Sequence, residues 1–502
     1  MWYRMNSGNR AGGLRLIIRG EGLRIVRTSP AEADSAIVSR DMGLEKFRYM
    51  GEKKNKSLSI CFFSHSSLLA GAERSLLELV TGLIRDYGVT CAVFLPSDGP
   101  LIEKLEKTGA STFTYKYDWW CGLNSSATSQ KAWRFINSFK TTLENIKEEV
   151  EKINPDIVFT NTMVIPWGAM VASRLNKPHV WFVREFGVLD HGLEFYLPFL
   201  EVLNSIRDSS NIILTNSTAV RKTLFGNTPG SNILTISPYI DIPLNTLLGD
   251  KDVYYRKRDA IKLIIVGTIS EPKRQEDAIC AVRELIGRWN VELIVIGYFD
   301  PTYLSELRGL VKNESLEGYV RFIDFKENIY PIISQADIVL VCSKNEAFGR
   351  IILEAMLLKK AVIGTKAGGI PELVEEGFNG LLYEPGDYKQ LAMRIEYLLK
   401  QREKIREFGE NGYKFAKENF TKEKSVGKIY ELLQGIKNMP NPSSSAYVAL
   451  IDIHNSLGWK LAPWYCRIRD KILPENSHRR SAVRKVFKGD ISLLNNSKKN
   501  AD

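Results

Sequence analysis

Short apolar runs alternate with longer amphipathic stretches through most of this chain. Residues 58–63, apolar except for Ser59, form a run of strand length, a Gly-containing loop follows, and residues 73–85 repeat apolar side chains at helical spacing. Residues 89–95 again have the character of a strand. Further strands are predicted over 156–160, 179–183 and 211–215, with helices over 142–153 and 167–175 between them. Strands that alternate with helices predict a parallel sheet covered on both faces.

A second set of the same pattern begins after residues 238–258, a stretch with two prolines and several charges that reads as a connector. Its predicted strands are 262–266, 292–296, 320–323, 338–342 and 361–364, and its helices 275–289, 303–312 and 351–358. The fold class is therefore α/β, with two Rossmann-like doubly wound domains in tandem. Such domains bind ligands beyond the carboxyl ends of their strands, so the cleft between them is the natural site. Beyond residue 433 the pattern stops, and Pro440-Asn441-Pro442-Ser443-Ser444-Ser445 has linker composition. The expected organisation is a basic N-terminal extension (1–56), a first domain (57–240), a connector (241–258), a second domain with a final helix (259–436) and a basic aromatic tail (437–502). Residues 14–27 hold two apolar–basic stretches around Gly20-Glu21-Gly22, which fits either a hairpin or an interfacial segment.

Composition narrows the class. Of 502 residues, 44% are hydrophobic and 25% charged, which excludes wholesale disorder and a multi-span membrane protein. The six cysteines are scattered without a C-x-x-C pair, as expected for a reducing compartment without structural zinc. The net charge of +11 is carried by the ends: residues 1–57 hold twelve basic and six acidic side chains, residues 437–502 twelve and five, and the middle is close to neutral at −2. A near-neutral body argues against a nucleic-acid groove, whereas the basic ends suit an anionic membrane surface or are simply solvated tails. Trp459, Trp464 and Tyr465 beside Arg467, Arg469 and Lys471 would suit a headgroup interface or could cap the second domain by packing. No signal peptide is visible, because Arg15, Arg19 and Arg24 interrupt the early apolar residues, and no run approaches the ~18 residues of a membrane span. A cytoplasmic protein is the expectation, either free or peripheral on the inner membrane face.

The candidate chemistry is concentrated at residues 343–387. A buried strand ends in Lys344-Asn345-Glu346-Ala347-Phe348-Gly349-Arg350 and a helix begins. Gly349 lets the backbone approach a ligand, and the unpaired N–H groups of the first helical turn form a phosphate site that needs no metal. Glu354 can accept two hydrogen bonds from a vicinal diol such as a ribose. Taken alone, two glutamates eight positions apart are more often a solvated face.

The surrounding residues change that weighting. Glu346, Phe348-Gly349, Glu354, Gly368-Gly369-Ile370-Pro371-Glu372 and Asn379-Gly380-Leu381-Leu382-Tyr383-Glu384-Pro385-Gly386-Asp387 together resemble the donor site of the retaining glycosyltransferases of family 4 (glycosyl transferases group 1), which have the two-domain GT-B fold. The resemblance covers roughly residues 57–435. It implies that Glu346 contacts the transferred sugar, that the loop amides of Ala347 to Arg350 hold a diphosphate and that Glu354 binds the nucleotide ribose. Gly267 and Lys273 match the family's glycine and phosphate-binding lysine. The family's usual Arg is Thr268 here and its second Gly is Arg274, so Lys273 and Arg274 are left to supply the cationic contact. Leu69-Ala70-Gly71-Ala72-Glu73-Arg74-Ser75 resembles the family's G-G-x-E-R loop, with Gly71 free for close approach and Ala72 in place of the second glycine. The largest departure is the family's catalytic-loop histidine. Arg184-Glu185-Phe186-Gly187 stands there, so that either Arg184 or Glu185 orients sugar or acceptor, or the turn Asp190-His191-Gly192 brings His191 back into the cleft.

No metal site or resident cofactor is proposed. Asp250-Lys251-Asp252 has the spacing of a metal-binding D-x-D motif but lies in the connector and reads as a charged linker. The resemblance implies transfer of a sugar from a nucleotide-sugar to a hydroxyl of a glycan or lipid-linked acceptor, as in surface-polysaccharide or glycolipid synthesis. A nucleotide-sugar epimerase of the same fold and a non-catalytic partner subunit remain alternatives.

Overall fold

The computed structural model describes the backbone of residues 14–19 and 22–27, and residues 57–122, 125–226, 232–242, 254–255 and 259–442. Asp250-Lys251-Asp252, Trp459, Trp464 and Tyr465 lie outside the described residues. Strands β1 (Leu14–Arg19) and β2 (Gly22–Arg27) pair antiparallel from Leu14↔Arg27 to Arg19↔Gly22, which is the hairpin of the two sequence alternatives.

The first domain is built on β3 (Ser59–Phe63), β4 (Thr90–Leu95), β5 (Ser111–Thr114), β7 (Ile157–Asn161), β8 (His179–Val183), β10 (Ile212–Thr215) and β11 (Ile233–Thr235). They form one parallel sheet in the order β11-β10-β8-β7-β3-β4-β5. The short strands β6 (Cys121–Gly122) and β9 (Glu194–Phe195) pair antiparallel beside it. The second domain holds β12 (Ile261–Val266), β13 (Val291–Gly297), β14 (Val320–Asp324), β15 (Ile338–Val341), β16 (Ala361–Thr365) and β17 (Gly380–Tyr383), parallel in the order β14-β13-β12-β15-β16-β17. In each sheet the strand order reverses beside the first strand, between β3 and β7 and between β12 and β15. That reversal opens a crevice at the carboxyl ends of the strands.

The apolar runs are continuous because both sheet faces are covered. Along β3, Cys61 and Phe63 pack into one core and Ile60 and Phe62 into the other. Along β12, Leu263 and Ile265 face one core and Ile264 the opposite one. The helix Gly71–Tyr87 lays Leu76, Leu79, Val80 and Leu83 on the first sheet. It stops at Gly88, whose φ of 64° lets its N–H reach the Ile84 carbonyl while that of Val89 reaches Leu83. Truncating Leu76, which is fully buried, to Ala would cost about 2–5 kcal/mol.

Besides β11 and β17, which add to the strands expected from the sequence, three differences bear on the fold. The helix predicted over 142–153 extends over Ser125–Ile153. Its Ser- and Thr-rich start reads as loop, but Phe135 and Phe139 bury against Trp167 at ring distances of 5.3 and 5.6 Å, and this packing outweighs the weak local propensity. The edge strand β5, Ser-Thr-Phe-Thr, carries too little apolar character to be seen. Finally, the helix Lys428–Ile436, expected to close the second domain, packs Ile429, Leu433 and Ile436 into the core of the first. The chain continues on that side, where Asn211 Nδ2 donates to the Pro440 carbonyl and Asn441 Nδ2 to that of Lys177, both at 3.0 Å. Among the described residues no helix is long and apolar enough to cross a membrane.

Candidate functional site

The carboxyl ends of the two sheets enclose a cavity of about 440 Å³. The loops after β3, β7, β8 and β10 form one wall and those after β12, β13, β14 and β15 the other. Of the residues singled out from the sequence, Gly71, Arg184, Glu185, His191, Gly267, Lys273, Glu346, Ala347, Phe348, Gly349, Arg350 and Glu354 all line it.

On the second-domain wall, Gly349 caps the helix Arg350–Leu357 at φ 89° and provides no side chain to bond the first-turn N–H groups. The Ile352 N–H turns back to the Gly349 carbonyl at 2.8 Å, and the remaining first-turn donors, with the positive end of the helix dipole, are open to an anion. Beside them the ammonium of Lys273 lies 2.7 Å from Oε2 of Glu346, which also accepts from the Ser343 hydroxyl at 2.9 Å. Burial alone would raise the Glu346 carboxyl, but the Lys273 charge and the Ser343 hydroxyl overcome it and hold it below the usual range. Burial likewise works against the Lys273 charge, and Glu346 reverses the balance. Both groups are therefore ionised at neutral pH.

The Gly368-Gly369 pair fixes this loop from behind. The N–H of Gly369 donates to the Glu346 carbonyl at 2.7 Å, and a Cβ on Gly368, at φ 58°, would fall 2.1 Å from that same oxygen. Only glycine allows the two backbones to lie so close. Glu372 of the same motif reaches the first domain, where its carboxylate accepts the N–H groups of Thr218 and Ala219 at 2.9 and 2.6 Å and caps the helix Thr218–Phe225. The Asn379–Asp387 stretch is structural as well. Asn379 bridges Glu375 N–H and the Leu373 carbonyl, and Asp387 caps the helix Tyr388–Lys400 through Gln390 N–H.

Arg350 spans the cavity. Its Nη1 and Nη2 each lie 2.6 Å from a carboxylate oxygen of Glu78 on the first-domain helix, while its Nε donates to Glu354 at 3.0 Å. Glu354 is 4% exposed, and burial pushes its carboxyl above the ordinary value although Arg350 and Arg74 pull the other way. Arg274 does not line the cavity. Its guanidinium holds Asp277 at 2.8 and 3.0 Å and Glu276 at 3.4 Å, so the cationic contact expected of the Lys273–Arg274 pair falls to Lys273 alone.

The first-domain wall is more polar than the sequence suggested. A side chain on Gly71 would meet no protein atom, so the space beside it belongs to the cavity. Glu185 is 7% exposed and accepts the N–H groups of Met163 (2.5 Å) and Arg184 (3.1 Å); burial, against those two bonds, pushes its carboxyl up to about 8. The turn Asp190-His191-Gly192 does fold back into the cleft: Asp190 is buried and accepts the Phe186 N–H at 2.8 Å, and His191 is half exposed. His65, just after β3, sits 3.3 Å from Glu73 and 5.4 Å in ring distance from Trp119. Burial lowers the His65 imidazole despite Glu73, so it is neutral with Nε2–H toward the carboxylate. His65 Nδ1, Glu73 Oε2, Thr162 Oγ1, Asp190 Oδ1 and Asn216 Oδ1 are buried without a partner, and all five residues line the cavity. Orphaned polar atoms concentrated in one cleft make it the candidate site for polar partners that the protein itself does not supply.

Residues 250–415 match the family described as glycosyl transferases group 1. The second domain is a glycosyl transferases group 1 domain. The chain is 30% identical over 236 residues to the N-acetyl-alpha-D-glucosaminyl L-malate synthase of Bacillus anthracis, covering 44% of this chain and 61% of that protein. It is 26% identical over 175 residues to a lipopolysaccharide core biosynthesis glycosyltransferase of Rhizobium meliloti, covering 35% of this chain and 50% of the relative. The structure of Anabaena Alr3699/HepE in complex with UDP-glucose superimposes with a TM-score of 0.60 at 22% identity, over 75% of this chain and 98% of that one. The two-domain GT-B architecture is thereby shared. The group 1 domain contributes Lys273, Glu346, Arg350 and Glu354 to the cavity.

Sequence reasoning missed Glu78, Trp119, Thr162 and Asn216 as site residues and assigned no role to His65 or Glu73. A general rule would have found half of them. His65, Thr162 and Asn216 each follow directly on the carboxyl end of a strand in the first sheet, where an open α/β fold places its ligand-facing residues. Glu78 gave no such signal, because it lies two turns into a helix and meets Arg350 only across the cleft.

Proposed function

We propose that the chain transfers a sugar from a nucleotide-sugar to a hydroxyl acceptor with retention at the anomeric carbon and without a divalent metal. The Lys273–Glu346 pair beside the uncapped helix Arg350–Leu357 carries this reading. The donor diphosphate would take the helix N–H groups and the Lys273 ammonium, which stabilise the charge gathering on the leaving nucleotide. Glu354 would accept the ribose hydroxyls, Glu346 a hydroxyl of the transferred sugar, and the acceptor would enter against the first-domain wall.

Retention follows from front-face exchange. The bond from the anomeric carbon to the diphosphate oxygen breaks, the acceptor oxygen bonds to the same face, and its proton passes to the departing phosphate oxygen. No protein base is needed, so the protein's contribution is positioning and charge stabilisation. The relative that builds lipopolysaccharide core supports a role in surface-polysaccharide or glycolipid synthesis. The basic ends favour a cytoplasmic enzyme held at an anionic membrane.

The experiment is a panel of nucleotide-sugars offered with and without hydroxyl acceptors, with the product's anomeric configuration read by NMR. Acceptor-dependent release of the nucleoside diphosphate, retained configuration and activity that persists in excess EDTA are expected. Activity lost in EDTA and restored by manganese or magnesium would overturn the metal-independent mechanism. An epimeric nucleotide-sugar formed without acceptor would establish the epimerase reading instead. Salt-sensitive co-sedimentation with anionic but not neutral liposomes is expected of the full chain.

A further inference from the structure

The first-domain wall holds a buried cation that no described carboxylate pairs with. Arg184 follows β8 and is 7% exposed. Its Nε donates to Asn161 Oδ1 at 2.6 Å, and its guanidinium lies 3.8 Å over the Phe182 ring. Among the described residues no carboxylate lies within 4.0 Å of that guanidinium. The three it faces are engaged elsewhere: Glu185 accepts the main-chain N–H groups of Met163 and Arg184, Glu78 is bidentate to Arg350, and Glu73 faces His65. Arg350 shows the contrast, since the same cavity gives it two carboxylates. A guanidinium removed from water without a counter-ion is costly, and its planar fork is shaped for a carboxylate or a phosphate.

Its neighbours point to hydroxyls. Asn216 donates to the Arg184 carbonyl at 2.7 Å and leaves its own Oδ1 buried and unpaired, and Thr162, next to Asn161, leaves its Oγ1 unpaired. The donor diphosphate already has Lys273 and the helix N-terminus on the opposite wall. We infer that Arg184 anchors an acidic group of the acceptor, so that the acceptor is a hydroxylated molecule carrying a carboxylate or phosphate near the hydroxyl that is glycosylated. This rests on the proposed transfer reaction and names its acceptor class.

The test is calorimetric titration of the full chain, first saturated with whichever of UDP, GDP and ADP binds, with inorganic phosphate and with malonate at constant ionic strength. Wild type is expected to bind at least one of the two anions, and which one distinguishes a phosphorylated from a carboxylated acceptor. Arg184→Gln should weaken that binding at least tenfold, Arg184→Lys less, and Lys273→Ala should leave it in place while weakening the nucleotide. Far-UV circular dichroism and thermal melts report whether each variant is folded. If Arg184→Gln does not fold, the wild type and Arg184→Lys decide. Nucleotide-saturated wild type that binds neither anion overturns the inference. So does an Arg184→Gln variant that loses nucleotide affinity while keeping the anion, because the arginine then serves the donor. If no nucleoside diphosphate binds the wild type, the transfer reading fails, and the anion titrations without nucleotide still decide what Arg184 holds.

Discussion

Lys273 Nζ and Glu346 Oε2, 73 positions apart in the chain, meet at 2.7 Å and join the loop after β12 to the loop after β15. The pair sits at the point where the second sheet reverses its strand order, so one ammonium and one carboxylate face the same cavity.

Glu346→Ala and Lys273→Ala should each lower kcat/KM for the nucleotide-sugar by at least about a hundredfold, the scale of a lost transition-state contact. Both side chains keep some solvent access, 24% for Lys273 and 18% for Glu346, so thermal midpoints should move little. Steady-state kinetics beside a melt checks both halves. Near wild-type kcat/KM in the folded Glu346→Ala variant would remove this carboxylate from the reaction.

Arg350 and Glu78 tie the two halves of the cleft together, with both partners nearly buried. A double-mutant cycle with Glu78→Ala and Arg350→Ala should give a coupling of about 1–3 kcal/mol in the free energy of unfolding. The nucleotide-free Glu78→Ala protein should also have a larger radius of gyration by small-angle scattering. Glu354→Ala should act chiefly on donor KM, since a ribose contact is alike in ground and transition states. Unchanged donor KM in that variant would count against the ribose role.

Glu372 is a helix cap borrowed from the other domain. Removing it with Glu372→Ala leaves the Thr218 and Ala219 N–H groups without their acceptor and should destabilise the protein by about 1 kcal/mol. Denaturant melts measure this. An unchanged midpoint would mean that water replaces the carboxylate at no cost.

Two buried groups give stability opposite slopes with pH. Burial raises Glu185 from 4.5 to about 8, so the folded state keeps a proton that the unfolded chain has lost, and stability falls as pH rises from 4.5 through 8. His179 is lowered from 6.5 to about 3 by burial, with Nδ1 on the Ser209 carbonyl and Nε2 on the Thr160 hydroxyl. Its contribution is present above 6.5 and lost as pH falls below. The two oppose each other between 4.5 and 6.5, and from 6.5 to 8 the Glu185 slope of about 1.4 kcal/mol per pH unit stands alone of the two. Wild type should therefore be less stable at pH 8 than at pH 6.5, and Glu185→Gln should flatten that decline. Parallel unfolding curves for the two proteins at both pH values would show that Glu185 does not titrate in this window.

By itself the sequence determined the two parallel sheets, because strands buried on both faces appear as unbroken apolar runs, as in residues 60–63 and 338–342, and the helices between them keep a 3.6-residue period. It also placed Glu346, Gly349 and Glu354 on one wall of the cavity, since they lie within nine positions on one strand–loop–helix joint whose geometry is local. What it left open depends on contacts between distant segments. That Gly368-Gly369 build the loop behind Glu346 and Asn379 ties Glu375 to Leu373, that Lys273 rather than Arg274 faces the cavity, and that His191 returns to the cleft were decided by packing. The same holds for Arg350, which reads as a helix N-terminus until Glu78 from the first domain meets it, and for residues 428–436, whose apolar face fits either domain. Local periodicity fixes which way a side chain points from its own element, and only the tertiary structure decides what it points at.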